Sequence, residues 1–297
     1  MSTKYNPGAK PKLACEVTTA GVVAGRMAEK GGVVEACAVR DFASGSVVPD
    51  LLENNLRERG KVLEAIRDAL ERVGGRSREL IAVLPDAAVR VVLLDFETLP
   101  SKTEEAEGVV RFRLKKSLPF DVDKAKVSYH AQTSGTGVRV IAAVSLLSVI
   151  QDYESIFREA GYSPGIVLPS MLAALGAATT DRPTMVVKVD DRTVSLAILD
   201  QQQLLLFRTI ENPYGANMSG EQLAEEIYPS VVFFQDTYQL NLEQIFVAGV
   251  GEAVAAPALK AQTGAQVADL VSGSQLGASA GMIPRWKLGG VAGALLA

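Results

Sequence analysis

Hydrophobic positions in this chain follow two periods, and one of the patterns is written twice. Over Leu13-Ala14-Cys15-Glu16-Val17, then a turn, then Gly21-Val22-Val23-Ala24, apolar residues form two short strands, with a further turn at Glu29-Lys30-Gly31-Gly32. The same grammar returns at Met185-Val186-Val187-Lys188-Val189, then Thr193-Val194-Ser195-Leu196, with a turn at Asp200-Gln201-Gln202-Gln203. Each copy reads strand, turn, strand, turn, strand. The copies align at an offset of 172 positions without a gap, so Glu16 corresponds to Lys188, Thr18 to Asp190 and Gly21 to Thr193. Two such units far apart in one chain point to two similar half-domains facing each other across a cleft.

Between the copies the period changes. Strands are expected over residues 12–18, 21–28 and 33–41. Leu52, Leu56, Val62, Leu63, Ile66, Leu70 and Val73 recur at helical spacing, which predicts a helix over 51–73 that stops at Gly74-Gly75. Short strands follow at 81–84 and 89–96, the second running on to Leu99-Pro100. A helix is expected over 103–116, with Ser101 as N-cap, Glu104 and Glu105 in its first turn, and Pro119 beyond its end. A hairpin over 127–132 and 138–144 turns at Gly135-Thr136-Gly137, and helices are expected over 148–160 and 170–178.

The second half gives strands over 184–189, 194–199 and 203–210. A helix over 219–238 follows, with Leu223, Ile227, Val231 and Phe234 on one face and Pro229 set to kink or split it. A strand over 245–248 runs into Gly249-Val250-Gly251-Glu252. A short helix, a strand near Gln266-Val267 and a final helical stretch from Leu288 close the chain. Strands and helices alternate, so the fold class is α/β.

Composition narrows the function. The 297 residues are 48% hydrophobic and 22% charged, as in an ordinary globular protein. The net charge of -4, with no basic block, argues against a nucleic-acid partner. Residues 1–12 are polar and unlike a secretory signal. The best apolar run, 138–150, contains Ser145 and Ser148 and falls short of the ~20 residues of a span; a cytosolic protein is expected. Cys15 and Cys37 read as reduced, buried thiols. His130 is the one histidine, which leaves no His-rich metal site, and no nucleophile motif accompanies it. No catalytic or metal-ligating set is therefore expected.

The order Leu99-Pro100, acidic-start helix, Lys115-Lys116-Ser117-Leu118-Pro119-Phe120-Asp121 and the strand Val127-Ser128-Tyr129 resembles the small inserted subdomain of the PilM family and its cell-division relative FtsA. With the duplicated units, the resemblance covers nearly all of residues 12–297. It implies an actin-like ATPase fold with two duplicated lobes and a small inserted FtsA-type subdomain. The implied division is a flexible arm over 1–11, a first lobe over 12–168 with the insert at about 85–145, a second lobe over 169–280, and a C-terminal helix over 281–297 packing back on the first lobe.

The resemblance also implies a role. Members of this family bind the cytoplasmic N-terminal tail of PilN, an inner-membrane protein, in a groove beside the insert and link it to the pilus motor platform. Many bind ATP with magnesium between the lobes. GspL, from the secretion machinery, has a similar cytoplasmic part.

The implied nucleotide site is Glu16, Thr18, Lys188, Asp190, Asp191, Gly249 and Gly251. Phosphate turns of this type carry Asp-x-Gly, where the acid positions a metal-bound water and the glycine admits phosphate to backbone N–H groups. Here the first turn reads Glu16-Val17-Thr18, Val23 stands for the usual lysine, and the second reads Lys188-Val189-Asp190. The Gly-rich turn after 245–248 is better kept. Three arrangements are open: ordinary hairpin turns in a degenerate site, a divalent cation held by Glu16, Asp190 and Asp191, or an ion pair between Glu16 and Lys188 across the cleft.

The expected function is a non-enzymatic adaptor of pilus assembly at the inner membrane. An ATP-binding ATPase or switch of a pilus or type II secretion system is the alternative, and a sugar-kinase-like enzyme or a filament former are further ones. The helix over 103–116 ends in Arg111, Arg113, Lys115 and Lys116, read either as a solvated helix end or as a face for acidic partners or lipid. Gly289, Gly290 and Gly293 predict close backbone approach by the last helix.

Overall fold

The computed structural model describes residues 10–52, 54–135, 137–179 and 181–297, so most of the expected arm and Thr136 of the hairpin turn lie outside the described residues. The strands are β1 (Leu13–Val17), β2 (Gly21–Met27), β3 (Val34–Asp41), β4 (Glu79–Leu84), β5 (Arg90–Phe96), β6 (Ala125–Ser134), β7 (Gly137–Leu146), β8 (Ser163–Pro169), β9 (Thr184–Val189), β10 (Thr193–Asp200), β11 (Gln203–Glu211), β12 (Gln244–Ala248) and β13 (Gln266–Asp269). The helices are α1 (Arg59–Val73), α2 (Thr103–Leu114), α3 (Leu147–Glu159), α4 (Ser170–Ala174), α5 (Gly220–Tyr238), α6 (Glu252–Thr263) and α7 (Gly289–Leu296).

Two five-stranded sheets repeat one connectivity. The first is ordered β3-β2-β1-β4-β8 and the second β11-β10-β9-β12-β13. In each, the first three strands are antiparallel and the last two run parallel to the first. A third sheet, β5-β7-β6, carries α2 on one face through Val110, Leu114, Val127 and Val140.

The central strands β1, β2, β4, β9, β10 and β12 are nearly continuous apolar runs because both faces of the sheets are covered there. On the outer face of the first sheet, Leu13, Cys15 and Val17 pack with Ile66 and Leu70 of α1 and Tyr153 and Phe157 of α3. On the outer face of the second, Met185 and Val187 pack with Leu223, Ile227 and Phe234 of α5. The inner faces share one core: Ala14, Val23 and Ile81 of the first sheet join Val186 and Ala197 of the second, with Met171 of α4 and Val291 and Leu295 of α7 between them.

The glycines of α7 make this layer possible. A Cβ at Gly289 would stand 2.8 Å from the Ala248 Cβ, one at Gly290 would fall on the Glu16 carboxylate, and one at Gly293 on the Ala173 carbonyl.

Four expectations are corrected. The first helix starts at Arg59, not at 51: Pro49 opens an extended segment, and the Asn55 side chain bonds the Asp50 N–H (2.9 Å) and the Asp50 and Leu52 carbonyls, which ties Asp50 and Leu52 to Asn55 outside any helix. Ser101 lies one residue outside its helix, whose N-cap is Lys102 without a side-chain bond, and that helix closes at Leu114. The helix after β8 tightens into a 3-10 turn at Leu175–Ala177. Pro229 does not split α5, which is capped by the reciprocal Ser219–Gln222 box; Pro229 is exposed, so water can reach the carbonyl it leaves unbonded.

Candidate functional site

The cleft between the sheets is built by strand alternation. In β1 the odd residues pack outward, so Ala14 and Glu16 face inward; in β9 Met185 and Val187 pack outward, so Val186 and Lys188 face inward. Equivalent positions in the equivalent strands β1 and β9 therefore share a face, and the inner faces oppose each other. Lys188 Nζ stands 3.2 Å from Glu16 Oε1, with Lys188 8% and Glu16 2% exposed. The anticipated ion pair across the cleft is present. Ser170 Oγ, at the start of α4, also donates to Glu16 Oε1.

A second buried carboxylate completes the group. Asp86 follows β4 and Pro85, is 3% exposed, and accepts the Met171 N–H at 2.7 Å. Burial pushes its pKa up to about 6, against the opposing pull of the Lys188 charge. Burial alone would lower Lys188; the charges of Glu16, Asp86 and Asp190 outweigh it and hold the ammonium above its ordinary range.

Both hairpin turns are closed in the same way by equivalent residues. Thr18 Oγ1 accepts the N–H groups of Ala20 (3.2 Å) and Gly21 (3.0 Å), while the Thr18 N–H bonds the Gly21 carbonyl at 2.8 Å. Asp190 Oδ1 accepts those of Arg192 (2.7 Å) and Thr193 (2.8 Å), while the Asp190 N–H bonds the Thr193 carbonyl at 2.9 Å. Two N–H groups of each turn are thus already bonded to a side chain of the turn itself. Asp191, beside Asp190, is raised by burial and then by its neighbour's charge.

The Gly-rich side is also occupied. Gly249 adopts φ 77°, donates its N–H to the Trp286 carbonyl at 2.8 Å, and lies so close to the Val189 carbonyl that no Cβ would fit. Gly251 caps α6, and the Trp286 ring stands 3.3 Å from where its Cβ would be. Lys287 reaches Asp41 at the end of β3 at 3.8 Å, so the Trp286-Lys287 segment joins the two sheets across the rim.

The space left is about 130 Å³, lined by Glu16, Thr18, Lys188, Asp190, Asp191, Gly249 and Trp286 among others. Pockets for drug-sized ligands run to roughly 300–1,000 Å³. Of the residues read from the sequence, the structure brings Glu16, Thr18, Lys188, Asp190, Asp191 and Gly249 together and leaves Gly251 under Trp286. Of the acids read for a divalent cation, Glu16 is bonded by Lys188 and Ser170 and Asp190 by its own turn; among the described residues no group of three acidic, Cys or His side chains is set to hold a metal.

Sequence reasoning missed Asp86 and Ser170. The available signal for Asp86 was a lone acid directly after the apolar strand Ile81-Ala82-Val83-Leu84 and Pro85. Ser170 carries no local signal.

No protein-family model matches the chain, and comparison with curated proteins gives no match. Solved structures do match. The PilM–PilN type IV pilus biogenesis complex aligns with TM-score 0.76 at 17% identity, over 96% of this chain and 97% of that one. The cytoplasmic domain of EpsL, an inner-membrane component of the type II secretion system of Vibrio cholerae, aligns with TM-score 0.51 at 10% identity, over 79% and 80%. A Bacteroides thetaiotaomicron protein with an actin-like ATPase fold aligns with TM-score 0.50 at 12% identity, over 86% and 89%. Duplicated sheets, a shared inner core and these alignments agree: the chain has the actin-like fold, in an arrangement similar to that of PilM.

Proposed function

We propose that this chain is a non-enzymatic adaptor of type IV pilus assembly, one that binds the N-terminal tail of an inner-membrane PilN-like protein and is held at the membrane through it. The observation that carries this reading is the end-to-end likeness to the PilM–PilN complex. The likeness to the EpsL cytoplasmic domain supports the same broad setting, since that protein too is part of an inner-membrane secretion assembly.

The cleft supports the non-enzymatic part. Two N–H groups of each hairpin turn are bonded within the turn, and a lysine–glutamate pair spans the cleft. For the tail, a groove of about 230 Å³ lies between the inserted sheet and the first lobe, bordered by Lys126 and Ser128 of β6, Ile150 of α3, and Val167 and Leu168 of β8. Its lining is apolar apart from Lys126, Glu154 and two serines, which suits a short, partly apolar peptide.

The test is a fluorescence-anisotropy titration with a synthetic peptide of the N-terminal residues of the PilN-like protein encoded immediately downstream. Binding should weaken about tenfold or more in a Leu168→Asp variant. Absence of binding up to about 1 mM, or binding indifferent to that variant, overturns the proposal.

A further inference from the structure

The second large sheet ends at β11, whose outer edge has no strand partner among the described residues and is approached by β5 near Phe207. β11 pairs with β10 on one side. At its start the inserted sheet seals the other side: the Gln132 side chain exchanges two hydrogen bonds with the Leu204 backbone (2.8 and 3.2 Å), and the Leu205 carbonyl accepts from Arg139 Nη1 (3.2 Å) and Tyr238 Oη (3.0 Å). At its far end the Asn212 N–H turns inward to the Arg192 carbonyl at 2.8 Å. A bulge leaves Leu205 without a partner in β10 and shifts the alternation there; counted back from Asn212, the backbone groups of Phe207, Thr209 and Glu211 turn outward. Among the described residues, none of those groups has a hydrogen-bond partner outside its own sheet.

The edge opens onto a groove. Two adjoining cavities of about 560 and 260 Å³ share Leu51, Ala87, Thr209 and Ile210 in their walls. The smaller is also bordered by Arg90 and Val91 of β5, itself the edge strand of the inserted sheet. Edges of two different sheets therefore border one groove. Its walls are apolar at Leu51, Leu52 and Ile210, and Leu52 is 52% exposed. One end is acidic, with Asp50, Asp191 and Glu211 against Arg192.

We propose that this groove takes an extended peptide segment of a protein partner, added as a strand along Phe207–Glu211, with apolar side chains against Leu51 and Leu52 and a basic side chain over Asp50, Asp191 and Glu211. Three outward residues, each with one donor and one acceptor, match the repeat of an extended backbone and of little else. Exposed strand edges are ordinarily blocked by charge, proline or a covering loop; here Pro49, Pro119 and charged side chains border the groove, yet among the described residues none of them bonds the backbone of Phe207, Thr209 or Glu211. The acidic end selects the charge of the segment. This groove is separate from the one between β6 and α3, and the proposal stands without the pilus reading.

The probes are two fluorescein-labelled heptapeptides of alternating threonine and valine, one ending in two lysines and one in two glutamates. The full chain should bind the lysine peptide at least about tenfold tighter than the glutamate peptide. Bound peptide should slow amide exchange over residues 207–211. Glu211→Lys should remove the charge preference, and Leu52→Asp should weaken binding about tenfold; both residues are exposed, so the variants should fold. Equal affinity for both peptides, no protection over 207–211, or no binding to about 1 mM overturns the proposal. So does concentration-dependent self-association abolished by Glu211→Lys, which would assign the groove to a second copy of this chain.

Discussion

Lys188 and Glu16, equivalent positions of the two repeats, meet at 3.2 Å across the cleft and lie almost wholly out of water. A buried pair of this kind adds little net stability over an apolar pair, but leaving one partner alone costs about 3–5 kcal/mol. Lys188→Met should therefore lower stability by several kcal/mol, because Glu16 would face Asp86 and Asp190 without a counter-charge. Glu16→Leu combined with Lys188→Met should recover part of that loss. Chemical denaturation of the single and double variants measures the coupling; additive losses would mean the two side chains act independently.

Asp86 makes stability depend on pH. Its folded pKa of about 6 lies above the ordinary 3.8, so the folded state binds this proton more tightly than the unfolded one. The contribution is complete below pH 3.8 and is lost as pH rises through about 6. It amounts to at most about 3 kcal/mol. Asp86→Asn should keep the acceptor for the Met171 N–H and flatten the pH profile between about 4 and 6. The difference in melting temperature between the two proteins across this window is the readout; parallel curves would reject the assignment.

Glycines of the last helix should resist change where a helix glycine facing open space does not. Gly293→Ala places a methyl on the Ala173 backbone and should cost about 1–3 kcal/mol. Gly108→Ala in α2, whose Cβ would meet open space, should stabilise by about 0.4–1 kcal/mol. Thermal unfolding of both variants distinguishes a packing helix from a merely flexible one.

The closed turns predict a weak response to nucleotide. Millimolar ATP with magnesium should leave the melting temperature and calorimetric baseline unchanged, since Thr18 and Asp190 hold two N–H groups of each turn and Trp286 covers Gly251. A magnesium-dependent rise in melting temperature would show that the cleft still opens to phosphate. Trp286→Ala tests the rim: if the indole alone blocks the site, nucleotide binding should appear in that variant.

Much of the architecture is written locally. Apolar runs broken by turns specify β1, β2, β9 and β10 because a strand buried on both faces needs little else, and equivalent positions in β1 and β9 place Glu16 and Lys188 on matching faces. The glycines of α7 announce close packing, since three of them in eight residues make no helix worth forming without a neighbour. What the sequence could not decide is whatever depends on which remote segment arrives. Leu52 and Leu56 have helical spacing, yet Asn55 bonds the backbone of Asp50 and Leu52 outside any helix. Asp86 and Ser170 are ordinary residues in isolation and become part of a buried charge cluster only when β4 and the start of α4 are brought to Glu16. The electrostatic character of the cleft is a sum over segments far apart in the chain, and only the packed molecule supplies the short distances that make such a sum large.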